Sequence, residues 1–226
     1  VWEHQTPGES IEGLAWAPSG EAIYLSLLTP EVRDGRLTDT SLRLFRLDLA
    51  SGALTPIVDD AAYPDVSPDN SRIAFVTFSS GSGPAGIWTA APDGSDRRLI
   101  VPVPETFAGV RWPRFSPDGA RIAFGAVETA AANDMPLPCD QRTRLPWQPR
   151  TAAAHGPPID IWSVATTGGT SERFPDLRED DPYIAWSPDG SSLAVIGACG
   201  LYLLPAGGGA SQRIAPGTAR SQIDWR

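Results

Sequence analysis

A β-propeller is the fold this 226-residue sequence predicts, on three observations. A Ser-Pro-Asp-Gly-type turn recurs four times. Each copy sits between short segments of alternating apolar residues. Glycine and proline, at 22 and 23 residues, make up about a fifth of the chain and work against long helices.

The turns are Ala17-Pro18-Ser19-Gly20, Ser67-Pro68-Asp69-Asn70, Ser116-Pro117-Asp118-Gly119 and Ser187-Pro188-Asp189-Gly190. Proline presets φ at the second position, aspartate bonds nearby amides, and glycine or asparagine accepts a left-handed backbone. A first strand is expected to end at Trp16, Val66, Phe115 and Trp186. The second strands start at Ala22, Arg72, Arg121 and Ser192. The third are centred on Leu44, Ile87, Ile161 and Tyr202. Turns of small residues follow, such as Asp93-Gly94-Ser95 and Thr167-Gly168-Gly169. The fourth strands start at Leu54, Arg97, Glu172 and Gln212. Four antiparallel strands per repeat make a propeller blade.

The turns begin 50, 49 and 71 residues apart, and the excess falls in the connections between second and third strands. We read one propeller domain over 1–226, with blades at about 11–58, 60–101, 105–175 and 180–216. Residues 127–158 form an insertion loop. Residues 1–5 match the last strand of a preceding blade, and 221–226 the first strand of a following one. The chain starts at Val1 rather than methionine, so a processed or excerpted polypeptide is expected. Four complete blades of a ring of six or more is the expectation. An independently closed four-bladed ring and an antiparallel sandwich are the alternatives.

Charge narrows the function. All 18 basic residues are arginine, against 27 acidic ones, for a net charge of −9 and a pI near 4.7. Nucleic acid and anionic membrane surfaces are poor partners for such a chain. No apolar run approaches the ~18 residues of a membrane span. No phosphate loop, nucleophile elbow, zinc-protease motif or paired-cysteine motif occurs. His4 and His155 lack metal-ligand spacing. No catalytic residue, metal or cofactor is expected, and Asp69, Asp118 and Asp189 are read as turn residues.

The Ile184-Ala185-Trp186-Ser187-Pro188-Asp189-Gly190 pattern is followed by Ile-Ala-Phe-type strands, with Asp160-Ile161-Trp162 and Asp93-Gly94 completing the repeat. It resembles the TolB-like propellers, periplasmic six-bladed domains of bacteria, over essentially the whole chain. The resemblance implies a non-enzymatic, extracytoplasmic scaffold for protein partners in an envelope or exported assembly. The same blades gate prolyl-oligopeptidase-like serine hydrolases, which makes a gating propeller the second reading. A small-ligand or glycan-binding propeller is the third. The chain departs from TolB itself in showing no N-terminal domain and in its long third-blade insertion.

Aligned copies place Tyr63, Trp112 and Tyr183 at one level of three consecutive blades, at the channel mouth opposite the tight turns. They are candidate partner anchors, or packing between blades. Asp59, Asp60, Glu105, Asp180 and Asp181 enter the first strands and could form an acidic funnel, with Arg111 and Arg114 able to pair with nearby acids. Arg142, Arg144 and Trp147 in the insertion are further partner candidates. Equivalent connections carry Cys139 and Cys199, so a disulfide between them is reasonable and would imply an oxidising compartment. Two unpaired thiols are the alternative.

Overall fold

The computed structural model describes residues 7–34, 36–78, 83–131, 157, 159–174, 177, 179, 181–217 and 223–225. They form four separate four-stranded antiparallel sheets, each in sequence order. Blade one is β1 (Ser10–Trp16), β2 (Ala22–Arg33), β3 (Arg36–Asp48) and β4 (Leu54–Asp59). Blade two is β5 (Ala61–Val66), β6 (Ile73–Thr77), β7 (Gly86–Ala90) and β8 (Arg98–Pro102). Blade three is β9 (Phe107–Phe115), β10 (Arg121–Glu128), β11 (Asp160–Ala165) and β12 (Glu172–Arg173). Blade four is β13 (Tyr183–Trp186), β14 (Ser192–Ile196), β15 (Gly200–Pro205) and β16 (Gln212–Pro216). Within the described residues the only helical element is a single 3-10 turn, Thr129–Ala131. Inner strands β1, β5, β9 and β13 contact one another in series, so the blades stand side by side around a channel.

The repeated turn does what its sequence dictates. Ser67, Ser116 and Ser187 accept, at their carbonyls, the amides of Asn70, Gly119 and Gly190, all at positive φ. Asp69 takes the Ser67 hydroxyl at 2.6 Å and the Ser71 amide at 3.0 Å. Asp118 takes Ser116 at 2.6 Å and the Ala120 amide at 3.0 Å, and Asp189 takes Ser187 and Ser191 likewise. The serine hydroxyls in turn accept the amides of Arg72, Arg121 and Ser192. The three aspartates are therefore turn residues, as the repeat implied.

The core lies in the seams between blades. One cluster joins Tyr24, Leu44 and Val58 of blade one to Val66, Ile73 and Phe75 of blade two. A second joins Val76, Ile87 and Val101 to Phe107, Phe115 and Phe124 of blade three. A third joins Ala123, Ile161 and Phe174 to Trp186, Leu193 and Leu204 of blade four. Polar contacts lock the same seams. The Trp186 indole donates to Arg114 O at 3.1 Å, Tyr24 OH to Pro92 O at 3.2 Å, and Arg97 to Ile57 O at 3.1 Å. Val66, Phe115 and Trp186 are each 8% exposed, while Trp16 at the matching position is 53% exposed. Blade one thus has no seam on that side among the described residues, and the ring is open.

The connection between the second and third strands of blade one, Thr29–Thr40, is itself paired strand: β2 and β3 stay paired to Arg33↔Arg36. Thr29, Val32, Leu37 and Thr40 favour strand, and Asp34 takes a left-handed φ of 52° to reverse the chain. The proposed flanking strand 1–5 lies outside the described residues. Ile223–Trp225 carries no strand pairing.

Two predictions follow from turn and seam. Hydrogen bonds from serine hydroxyls and backbone amides hold Asp69 and Asp189 down at about 2, against an ordinary 3.8. Their stabilisation is present above the ordinary carboxylate range and is lost as pH falls from about 4 to about 2. Urea midpoints across that range should fall less steeply in Asp69→Asn/Asp189→Asn than in the parent; equal slopes would refute the assignment. Gly94 has φ +83°, and an added Cβ would lie 2.5 Å from Ile57 Cγ2 and 2.9 Å from Ile57 O across the seam. Gly52, at φ +73°, meets nothing within 4 Å. Gly94→Ala should cost about 1–3 kcal/mol more than Gly52→Ala in denaturant unfolding.

Candidate functional site

In an antiparallel blade, the turns joining strands one to two and three to four lie at one end. The second-to-third connections and the crossovers to the next blade lie at the other. Tyr63, Trp112 and Tyr183 each lie four residues before their tight turn, as the third residue of β5, the sixth of β9 and the first of β13. There the structure brings them into direct contact. Tyr63 and Trp112 ring centroids are 4.0 Å apart, and Trp112 and Tyr183 4.7 Å, with the planes tilted by 44° and 41°. Trp112 is buried between two half-buried tyrosines.

The backbone explains how. An extra residue enters β5 between Ala62 and Asp65, and β9 between Arg111 and Arg114. The two bulges hold Tyr63-Pro64 and Trp112-Pro113, whose prolines have no amide to give to a ladder. Tyr63 and Trp112 take φ of 57° and 53°. Such values are rare for bulky residues and persist only where surroundings enforce them. Here the enforcing surroundings are the neighbouring rings. Gly13 fills the same place in blade one. A Cβ there would lie 3.2 Å from Tyr63 Cα, so the ladder begins at Tyr63.

Around the ladder, Asp181 accepts Arg111 Nη1 at 3.0 Å and the Trp112 indole at 3.4 Å. Phe78, 37% exposed, meets Tyr63 edge-on at 6.4 Å. Burial pushes the Tyr63 hydroxyl above its usual 10, with Arg111 working against it. Of the acidic-funnel candidates, Asp59 is ion-paired with Arg43, and the Asp60 amide donates to Leu42 O at φ 53°. Glu105 is exposed in the turn before β9. Asp180 lies outside the described residues. So do Arg142, Arg144, Trp147 and Cys139, and with Cys139 the bridge to Cys199.

Cys199 itself sits in the β14–β15 turn, held at both sides of its backbone. Its amide donates to the buried Glu179 carboxylate at 3.1 Å, and its carbonyl accepts Arg213. Gly197 leaves room for this carboxylate, since a Cβ would lie 2.5 Å from Glu179 Oε2. Burial, with help from Glu179, pushes the Tyr202 hydroxyl up to about 12.

At the tight-turn end the channel opens into a cavity of about 690 Å³ between the inner strands. Its charged lining is Asp65, Arg114 and Asp224. All three hold one repeat position, two residues before the turn starts, where blades one and four carry Ala15 and Ala185. That alignment was the signal that could have picked them out. Asp65 Oδ2 accepts the Phe115 amide at 2.7 Å, and its other oxygen lies 3.8 Å from Arg114 Nη1. Arg114 also donates to Pro64 O and Pro113 O. Burial raises the Asp65 acid above its usual range, Arg114 opposes this, and Asp224 adds to it. No group of three or more His, Cys, Asp or Glu suited to a metal ion occurs among the described residues.

No family model matches the chain, and no curated protein matches it in sequence. Solved structures do. TolB from Acinetobacter baumannii superposes with a TM-score of 0.59 at 15% identity, over 92% of this chain and 44% of that one. A structure described as a nidogen/laminin complex reaches 0.66 at 14% identity, over 96% and 69%. The acylaminoacyl peptidase of Pyrococcus horikoshii reaches 0.58 at 17% identity, over 93% and 33%. The chain thus spans less than half of that TolB chain and one third of the peptidase. Open sheets, seam cores and these likenesses agree: this chain is an open run of four blades with a TolB-like β-propeller fold.

Proposed function

We propose that the chain is a non-enzymatic interaction propeller, a rigid scaffold for protein partners in a bacterial envelope or exported assembly outside the cytoplasm. The observation that carries this reading is the Tyr63–Trp112–Tyr183 ladder. Three rings from three blades lock one another in place, with Phe78, Arg111 and Asp181 partly exposed beside them. Preformed aromatic edges lose little side-chain freedom on binding, and hydroxyl-bearing rings suit a half-wet interface. By chain order the insertion with Arg142, Arg144 and Trp147, and the acidic crossovers, leave the sheets at the end away from the tight turns. The partners are proteins, subunits of a larger complex among them. Neither nucleic acid nor a membrane span belongs to this reading, and no described helix is long and apolar enough to cross a membrane. The likeness to TolB and to a structure containing nidogen and laminin supports it.

A second reading is the propeller that gates a prolyl-oligopeptidase-like hydrolase. It is favoured by the superposition on an acylaminoacyl peptidase, of which this chain covers one third.

Two experiments test these readings. Affinity capture with the 226-residue chain as bait should recover a partner that Tyr63→Ala and Tyr183→Ala lose, at about 1–2 kcal/mol each. Trp147→Ala and Arg144→Ala should weaken the same capture. Retention by all four variants would end the proposal. Intact mass of the native polypeptide, with and without reductant, tests the rest. A gain of about two daltons on reduction would support a Cys139–Cys199 bridge and an oxidising compartment; no gain would remove that support. A mass tens of kilodaltons above 24.0, with a serine-hydrolase sequence in its peptides, would select the gating reading.

A further inference from the structure

Four Asp–Gly pairs occur in the chain: Asp34-Gly35, Asp93-Gly94, Asp118-Gly119 and Asp189-Gly190. The pair is chemically special. Glycine has no Cβ to shield its amide, so that nitrogen can reach the preceding carboxyl carbon and close a five-membered ring. The structure holds three of the four against this. Asp93 Oδ1 accepts the Ser95 amide at 2.9 Å and the Ser95 hydroxyl at 2.6 Å. Asp118 and Asp189 hold the serine hydroxyls and amides of their tight turns in the same way. The glycine amides are committed as well. Gly94 donates to Ala91 O at 2.8 Å, Gly119 to Ser116 O at 2.8 Å and Gly190 to Ser187 O at 2.9 Å. The serine hydroxyls and backbone amides also keep these three carboxyls below their ordinary range, in the ionised form that cannot release water.

Asp34 stands apart. It reverses the chain just past the last β2–β3 pair, Arg33↔Arg36, exposed and at φ 52°. Its side chain has no hydrogen bond or ion pair. The hairpin beneath it is alone too. β1 pairs with β2 only as far as Leu28, and β4 with β3 only as far as Arg43. From Thr29 to Leu42 the two strands therefore pair only with each other. Val32 and Leu37, opposite one another, are 58% and 64% exposed. A lone two-stranded ribbon is marginal in water, which makes Asp34 the least constrained of the four aspartates.

We propose that Asp34 is a site of spontaneous backbone modification, converting to isoaspartate through a succinimide while the other three Asp–Gly pairs stay intact. The Gly35 nitrogen attacks Asp34 Cγ. The Cγ–N bond forms, the Cγ–O bond of the protonated carboxyl breaks, and the hydroxyl leaves with the amide proton as one water. A second water then opens the ring. Attack at Cγ restores aspartate. Attack at the α-carbonyl carbon routes the main chain through Cβ and Cγ, giving isoaspartate of unchanged mass. The step consumes no oxidant, metal or cofactor, and Gly35 enters only as the next residue in sequence. The product adds a methylene to the main chain beside Arg33↔Arg36, so the arm loses register at its end. The ladder reading plays no part in this inference.

Peptide mapping with electron-transfer fragmentation distinguishes isoaspartate from aspartate, and tests the proposal on the 226-residue chain before and after prolonged incubation at neutral pH. Isoaspartate is expected at Asp34 at several times the level at Asp93, Asp118 or Asp189. Gly35→Val, whose branched side chain shields the amide, should suppress it. Asp34→Asn should react faster, with release of ammonia, and serves if the valine variant fails to fold. Incubation in guanidinium chloride should bring the four sites to similar levels, because their protection is structural. Three results would overturn the proposal: no isoaspartate at Asp34 in the aged folded chain, levels at the other three sites matching it, or the same preference for Asp34 in denaturant.

Discussion

Each blade has two apolar faces and is too thin to cover either by itself. This one constraint organises the molecule. A four-stranded sheet can hide its faces only against the next sheet, so the core is divided into seams. Phe115 and Trp186 reach from one inner strand to the preceding blade, and each large side chain buried this way is worth about 1.5–3 kcal/mol. Everything else in the fold serves to present these faces at the right spacing. The serine–aspartate turns fix the angle at which each inner strand feeds its neighbour.

Seam packing also explains where chemistry can sit. The outward surfaces of the sheets are consumed by neighbours, which leaves the two ends of the channel. On the crossover side of Asp65 and Arg114, bulges at Tyr63 and Trp112 swing rings across two seams and make a continuous aromatic contact. At the tight-turn end, the same inner strands present Asp65 and Arg114, with Asp224 beside them. One set of strands thus offers an apolar rim and a charged pocket, and neither requires a departure from the repeat.

The architecture was legible because its signals are local. Proline, aspartate and glycine in fixed order specify a turn, and period-two apolar residues specify a strand. Placing Tyr63, Trp112 and Tyr183 at one level needed only the repeat alignment. Their stacking was not legible, because it depends on left-handed backbones that no residue preference announces at a tyrosine or a tryptophan. The long β2–β3 pairing was missed for a related reason: Thr29–Thr40 mixes charges and threonines without an apolar face, so it reads as a loop. Glu179, next to Asp180 and Asp181, reads in the sequence as one more loop charge. Its burial comes from Gly197 on a strand end eighteen residues away, a contact that spacing alone does not reveal.

The seams have a consequence for how the chain acquires its structure. Every seam joins blades that are neighbours in sequence, so no distant segment has to be found before apolar surface can be hidden. A growing chain can complete one sheet, then bury its rear face as soon as the following sheet emerges. Assembly is then vectorial, like adding tiles to a row, and ring closure is a late event rather than a nucleus. The leading face of blade one, where Trp16 stands exposed, has no covering blade among the described residues. Left uncovered, it is the surface most in need of protection from other chains.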